Sequence, residues 1–289
     1  MNSTLIILGA GCSLQSGYPL AKVMFPRLAE FRDLLGKEAV KLRACVTQTL
    51  DLVEKLRKKG DSVETLDTLA RLLHDGRADE RAGGNMMVER NRLVVDAKVS
   101  VAALFLFLER EAVQKKLPGY RQLLIRVFPD IPKVGFQRAI ELSRHRILTF
   151  NYDRLFELAF RQYFPDLEGR EDLYCSTVLN SGFSLQKPKK LEIGQNKFSF
   201  LKLHGSSAFY GFSSEQFPSQ KNGRVEHHLK IPDPKSPIPI TDAEFFYPED
   251  LPDRIRSGKP KPILITFPHE KDHLKHYRRN LFPFKSASE

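Results

Sequence analysis

Short, mainly apolar runs alternate with long stretches in which apolar residues recur at intervals of three and four. The runs lie at Leu5–Leu8, 146–150, 198–203 and 262–267, and each has the length of a strand. The first run is apolar throughout, which is typical of a buried strand in a parallel sheet. The pattern therefore predicts an α/β fold in which Leu5–Leu8 is a buried strand.

The stretch after the first run has the period of a helix. Three predicted helices have apolar positions at Phe25, Leu28, Phe31 and Leu35, at Leu42, Val46, Thr49, Val53 and Leu56, and at Leu66, Leu69, Leu72 and Leu73. Asp61 and Ser62 are candidate N-caps of the third helix, and Glu64 has the spacing of a capping box from Asp61.

A polar segment and two more helices complete this region. Residues 76–90 are polar and contain two adjacent glycines, so they are predicted to form a loop. A long helix at 93–116, buried on most faces at its centre, is followed by a short helix at 120–128, with a break at Pro118-Gly119. This mainly helical block of about 115 residues separates the first strand from the second candidate site motif.

Composition limits the protein's class and compartment. The chain has 289 residues, a net charge of +11 and three cysteines, Cys12, Cys45 and Cys175, none of them in a CxxC pair. This cysteine usage indicates a reducing cytoplasm and argues against a cysteine zinc site. The longest apolar run, residues 99–108, is too short to span a bilayer, so no membrane is expected. The positive charge favours an acidic partner, although a basic solvated surface explains it equally well.

The first candidate site follows the first strand directly. Residues 9–19 read Gly9-Ala10-Gly11-Cys12-Ser13-Leu14-Gln15-Ser16-Gly17-Tyr18-Pro19. A turn with almost no side chains lets main-chain N–H groups approach a phosphate or a ribose, and a helix N-terminus adds positive charge. The serines are also suited to capping the next helix.

Two further motifs stand at the ends of the next strands. Asn151 and Asp153 follow Thr149, and an extended backbone would point both side chains to one side. Asn-x-Asp is also a good helix-capping sequence. His204 follows the third run, where an imidazole is suited to general-base chemistry near neutral pH, although a lone histidine is more often structural.

Together, GAGxSxxSGxP, Thr-x-Asn-x-Asp and Lys-Leu-His-Gly-Ser resemble the motifs of sirtuins and of sirtuin-like NAD-consuming domains of bacterial antiphage-defence proteins. The resemblance covers residues 1–21 and 146–206. It implies a Rossmann-like parallel sheet with a large helical insertion. We therefore expect an NAD-binding domain at residues 1–21 and 141–289 and a helical insertion module at residues 22–140.

The resemblance also implies residue roles. His204 would deprotonate a ribose hydroxyl or water, Asn151 would position the ribose or the attacking water, and Asp153 would hold the nicotinamide carboxamide. Residues implied to bind NAD are Gly9, Ala10, Gly11, Ser13, Ser16, Gly17, Pro19, Thr149, Gly205 and Ser206.

The function implied by the resemblance is an NAD+ hydrolase that releases nicotinamide and ADP-ribose, with NAD as substrate and no metal. One alternative is a protein-lysine deacylase, but the four zinc cysteines of that class are absent, and Leu20-Ala21-Lys22 stand where deacylases carry Asp-Phe-Arg. The other alternative is a sensor or assembly subunit that binds NAD or another nucleotide without turnover.

A metalloprotease-like HExxH string occurs at His269-Glu270-Lys271-Asp272-His273. Zinc helices of this type bury an apolar face around the metal. Here the string follows Pro268 and lies among lysines and arginines, so we do not expect it to bind zinc.

Unchecked hydrolysis of NAD would harm the cell that makes the enzyme, so its activity is expected to depend on a partner. We expect a homo-oligomer or a partner defence protein, with nucleic acid contacted through the partner or the basic surface. The sequence reaches Glu289 without the apolar strand and turn that close the adenosine end in related domains. Either the sequence is a piece of a longer protein, or that end is closed in another way. In the second case we expect a neighbouring chain to complete it and to gate NAD cleavage.

Overall fold

The computed structural model describes residues 4–74, 86–115, 117–134, 139, 143, 145–163, 199–202, 206–207, 209–212, 224–227 and 240–246. All statements on structure below concern these residues.

Three parallel strands form the sheet that carries the predicted motifs. They are β1 (Leu5–Leu8), β2 (Arg146–Thr149) and β3 (Ser199–Lys202), in the order β1-β2-β3. Leu8 pairs with Thr149, and Thr149 pairs with Lys202, so the carboxyl ends of the strands form one row. The three strand predictions are confirmed, and residues that follow the strands start from one edge of the sheet.

Helices make up most of the described structure. Before β2 they are α1 (Met24–Leu34), α2 (Val40–Lys58), α3 (Leu66–His74), α4 (Met86–Gln114), α5 (Pro118–Val127) and α6 (Ile131–Val134). Helix α7 (Leu155–Tyr163) follows β2, and β4 (Phe209–Phe212) pairs antiparallel with β5 (Arg224–His227) before α8 (Asp242–Phe246). Mostly helical structure around a small parallel sheet is compatible with the predicted α/β class.

The periodic apolar positions form the core, as predicted. Every residue of the three predicted helical sets is buried, including the polar Thr49. Helix α4 packs on α1, α2 and α3, and it also contacts α7 beside the sheet. The ring of Phe156 on α7 stacks on that of Phe200 on β3, with centroids 4.8 Å apart. One continuous apolar cluster thus joins the helices to the sheet, and the proposed boundary between two modules stays a prediction.

Strand β1 is buried on one face rather than on both, so the prediction of a fully buried strand is wrong. Leu8 is buried and Ile6 packs against the core, whereas the side chains of Leu5 and Ile7 are 56% and 59% exposed. Alternate residues of a strand point to opposite faces, and β1 is an edge strand of the described sheet.

Three helix boundaries also differ from the predictions. Helix α4 begins at Met86, so residues 86–90 are helical and not part of a loop. The N-cap of α3 is Thr65, whose hydroxyl accepts a hydrogen bond from the Thr68 N–H at 3.2 Å, and not Asp61. Pro118 begins α5, since a proline needs no N–H partner in the first turn.

Helix α8 was not predicted, and its first residue reaches back to α2. The carboxylate of Asp242 accepts hydrogen bonds from the N–H groups of Lys41 (2.8 Å) and Leu42 (3.0 Å) at the start of α2. The strand predicted at 262–267 and the helix predicted at 270–280 lie outside the described residues. No described helix is long and apolar enough to cross a membrane.

Candidate functional site

The segment after β1 turns Ser13 toward the interior. Residues Ala10–Ser16 form a 3-10 helix that ends at Gly17, whose φ of +86° lies in the left-handed region that favours glycine. Ser13 is 1% exposed, while Ala10, Gly11 and Cys12 face outward. The glycine-rich segment therefore exposes residues 10–12 at the surface and buries the side chains of Ser13 and Ser16.

The hydroxyl group of Ser13 meets both side chains predicted after β2. Ser13 Oγ donates a hydrogen bond to Asp153 Oδ2 at 2.7 Å and accepts one from Asn151 Nδ2 at 3.1 Å. Both side chains therefore point to one side, as an extended backbone predicts. Two motifs that lie about 140 residues apart in sequence are in direct contact.

A third hydrogen-bond partner of the Ser13 hydroxyl comes from another helix. Tyr120 Oη, from α5, lies 3.2 Å from Ser13 Oγ. A serine hydroxyl has one hydrogen to donate and two lone pairs. Because the hydrogen is given to Asp153 and one lone pair to Asn151, Tyr120 must be the donor to the second lone pair. The Ser13 hydroxyl is thus fully engaged within the protein.

The orientation of the Asn151 amide follows from its partners. Its Nδ2 also donates to the main-chain oxygen of Gly9 at 3.0 Å, and that oxygen can only accept. The main-chain N–H of Asn151 donates to Thr149 Oγ1 at 3.1 Å, which fixes the backbone as well. The carbonyl oxygen Oδ1 is turned away from these groups, and no described residue donates a hydrogen bond to it.

Asp153 both caps a helix and takes part in the cluster. Its Oδ1 accepts a hydrogen bond from the Leu155 N–H at 3.0 Å, at the first residue of α7, so the predicted capping role is confirmed. Burial raises the pKa of this carboxyl, and the nearby ammonium of Lys202 and the hydroxyl of Ser13 partly offset that effect.

Lys202, at the end of β3, contacts both Asp153 and Glu157. Its Nζ donates to the main-chain oxygen of Asp153 and to Glu157 Oε1, the latter at 3.0 Å. Both side chains of this ion pair are buried, at 2% and 5% exposure. The lysine of the Lys-Leu-His-Gly-Ser motif therefore has a structural role, since it links β3 to Asp153 and α7.

A second buried ion pair joins α4 to the same region. Arg154 Nη2 lies 2.6 Å from Glu109 Oε2, and the Arg154 N–H donates to Glu109 Oε1 at 3.2 Å. The hydroxyl of Ser207 lies 3.5 Å from the same Oε1. Glu109 therefore holds the residue after Asp153 and the residue after the third motif.

The remaining predicted binding residues are placed as follows. Open space lies where a Cβ would stand on Gly9, Gly11 or Gly17. Ser16 and Thr149 are buried, and Pro19 is partly exposed. Ser206 is fully buried, and its Oγ lies 3.5 Å from the main-chain oxygen of Tyr152.

His204 and Gly205 lie outside the described residues, and so does the HExxH string at 269–273. Residues 203–205 are bracketed by described residues: Lys202 contacts the main-chain oxygen of Asp153, and the Ser207 N–H donates to the main-chain oxygen of Tyr152 at 2.8 Å. In the part of the chain that the structure describes, no three histidine, cysteine or acidic side chains are grouped as metal ligands.

Sequence reasoning missed Tyr120 and Glu109. Tyr120 stands in a predicted helix with nothing in its spacing to relate it to Ser13. Tyr18, by contrast, stands at a position that the first motif leaves unspecified, and its hydroxyl bonds outside the cluster, to the main-chain oxygen of Phe105 at 3.2 Å. In the sequence, Glu109 is marked out only by its charge, directly after the most apolar stretch of α4, where a buried acid would need a partner.

Comparisons with protein-family models, with curated proteins and with solved structures found no match to this chain.

Proposed function

We propose that the protein is an NAD+ hydrolase that cleaves the bond between nicotinamide and ribose, acting as an antiphage-defence effector. The observation that carries the proposal is the contact of Ser13 with Asn151 and Asp153. Residues from two separate motifs of the NAD-consuming family are thereby joined at the carboxyl edge of a parallel sheet. Open α/β sheets bind nucleotides at that edge.

The proposal includes a Rossmann-like sheet. Three parallel strands in register support it, as does the glycine-rich segment that follows the first of them. The open space beside Gly9 and Gly11 would allow a ligand to approach the main chain closely. NAD would lie along this segment, with its phosphates near the exposed face of residues 10–12.

The cluster suggests how Asn151 would act. Because its Nδ2 is held by Gly9 and Ser13, its Oδ1 would accept a hydrogen bond from a ribose hydroxyl or from the attacking water. Departure of nicotinamide leaves an oxocarbenium-like centre on the ribose, and a water held in position would capture it. Nicotinamide leaves as a neutral group from a cationic substrate, so the reaction needs no metal.

His204 would be the general base that accepts the proton of that water or hydroxyl. Support comes from Lys202 and Ser207, which contact the main chain beside Asn151 on either side of residues 203–205. Asp153 would accept a hydrogen bond from the nicotinamide carboxamide. A carboxylate has lone pairs to spare beyond those given to Ser13 and Leu155.

The test is to incubate the purified protein with NAD and to quantify free nicotinamide and ADP-ribose by chromatography. Stoichiometric formation of both products is expected. NAD binding without product would contradict the enzyme and favour the sensor, and nicotinamide release that requires an acylated peptide would favour the deacylase.

A further inference from the structure

We propose, as an extension of the proposed function, that Tyr120 is a positioning residue that acts through the Ser13 hydroxyl to hold the Asn151 amide in its working orientation. Tyr120 belongs to α5, within the helical region between the first two strands, and not to any of the three motifs. The helical region would then supply part of the site.

The direction of each hydrogen bond carries the inference. Tyr120 donates to Ser13 Oγ (3.2 Å), which leaves the serine hydrogen directed at Asp153 (2.7 Å) and one lone pair for Asn151 (3.1 Å). If the tyrosine hydroxyl is removed, one buried lone pair loses its donor, and the serine hydroxyl can rotate. Asn151 would then lose the fixed acceptor that turns its Oδ1 toward the ligand.

Tyr120 is itself held rigidly enough to act in this way. Its ring packs edge to face against Phe156 of α7, with centroids 6.4 Å apart, and the residue is 7% exposed. Burial raises the pKa of Tyr120, and the charge of Asp153 acts in the same direction. The phenol therefore stays protonated and remains a donor throughout the neutral pH range.

Tyr18 provides a matched control. It is also a buried tyrosine, and its hydroxyl also makes one hydrogen bond of 3.2 Å, but to the main-chain oxygen of Phe105. Tyr120→Phe and Tyr18→Phe thus remove the same atom from similar surroundings. Only the first removes a donor to Ser13.

The kinetic experiment measures nicotinamide release by both variants. We expect Tyr120→Phe to lower kcat about tenfold with KM changed by less than about twofold, since misplacement of a positioning group acts on the chemical step. We expect Tyr18→Phe to stay within about twofold of wild type. In the Ser13→Ala background, adding Tyr120→Phe should have an effect of less than about twofold, because the effect passes through Ser13. Equal losses in the two tyrosine variants, or an undiminished loss in the Ser13→Ala background, would overturn the proposal.

A second readout does not depend on NAD cleavage. The side-chain amide resonance of Asn151, assigned by its loss in Asn151→Ala, should shift in Tyr120→Phe and stay in place in Tyr18→Phe. An unchanged resonance in Tyr120→Phe would refute the coupling even if NAD is cleaved. Conversely, a shifted resonance in a protein that releases no nicotinamide would keep the coupling and reject the proposed function.

Discussion

Asp153 combines burial with three roles, since it caps α7, accepts a hydrogen bond from Ser13 and lies beside the charged group of Lys202. Most buried aspartates with such partners stay ionised, because hydrogen bonds and an opposite charge favour the carboxylate. Here desolvation is the largest influence, and it raises the pKa above the ordinary 3.8. The folded protein therefore binds the Asp153 proton more tightly than the unfolded chain does.

The sign of the resulting pH dependence follows from linkage. A carboxyl whose pKa is raised by folding contributes stability that is fully present below its unfolded pKa of 3.8 and is lost as the pH rises through the raised value. We predict that the free energy of unfolding of wild type, minus that of Asp153→Asn, falls as the pH is raised from below 3.8 toward neutrality. Urea titrations of both proteins across that range measure the difference, and a difference that grows with pH would show that the charge of Lys202 outweighs burial.

Helix α2 is the element whose start depends on a distant residue. Its N-cap position, Ala39, offers no side-chain hydrogen bond to the first N–H groups, and the carboxylate of Asp242 takes that place. The negative charge also lies at the positive end of the helix dipole. The segment at 240–246 is thereby fixed to the helical region, with Ile240 and Phe245 buried.

We predict that Asp242→Ala lowers the free energy of unfolding by about 1–2 kcal/mol, the usual effect of losing an N-cap, with a smaller loss for Asp242→Asn. The exposed Asp51 on the same helix is the control, and Asp51→Ala should stay within about 0.5 kcal/mol of wild type. Denaturant unfolding of the variants and of wild type measures these free energies. Equal stabilities of the two alanine variants would mean that Asp242 does not cap α2.

The spacing of apolar residues was sufficient to predict those helices and strands whose stability depends on one apolar face. The five buried positions predicted for α2 are its buried residues in the structure, and the three strands lie where apolar runs predicted them. Local chemistry was less decisive at the ends of helices. Asp61 and Thr65 are both good N-caps, and only the fold determines which of them precedes the first turn.

Contacts between residues that are far apart in the chain could not be predicted from the sequence pattern. The contact of Ser13 with Asn151 and Asp153 was anticipated only through motif resemblance, and Tyr120 belongs to no motif. The alternation of a strand predicts which residues share a face, but not which helix covers that face. The exposed face of β1 and the capping of α2 by Asp242 were missed for the same reason.

For the molecule as a whole, the Glu109–Arg154 pair links the helical region to the sheet. Both side chains are buried, at 0% and 1% exposure, and Glu109 also contacts Ser207. Removing one member of a buried pair leaves a charge without its partner in a region that water does not reach. Because this contact and the continuous core join helices and sheet, we expect them to unfold as one unit.

We predict that Glu109→Gln lowers the free energy of unfolding by about 3–5 kcal/mol, and that the double variant Glu109→Leu with Arg154→Met loses less. The partly exposed Glu111 of the same helix serves as control through Glu111→Gln, with little expected change. Far- and near-ultraviolet circular dichroism should report one shared transition for the wild type. Two separate transitions would show that the helical region is an independent module.

We propose that the motif residues form one NAD-cleaving site, and the turnover of two variants in one assay tests this. Asn151→Ala and His204→Ala should each lower kcat for nicotinamide release by about a hundredfold or more, as expected for a lost positioning or acid–base group. Ser100→Ala is the control, since it removes a buried hydroxyl whose hydrogen-bond partners among the described residues are Thr49 of α2 and the main-chain oxygen of Asp96 in α4. That variant should keep wild-type turnover, and all three should remain folded. Wild-type turnover in a folded Asn151→Ala or His204→Ala variant would remove that residue from the proposed site.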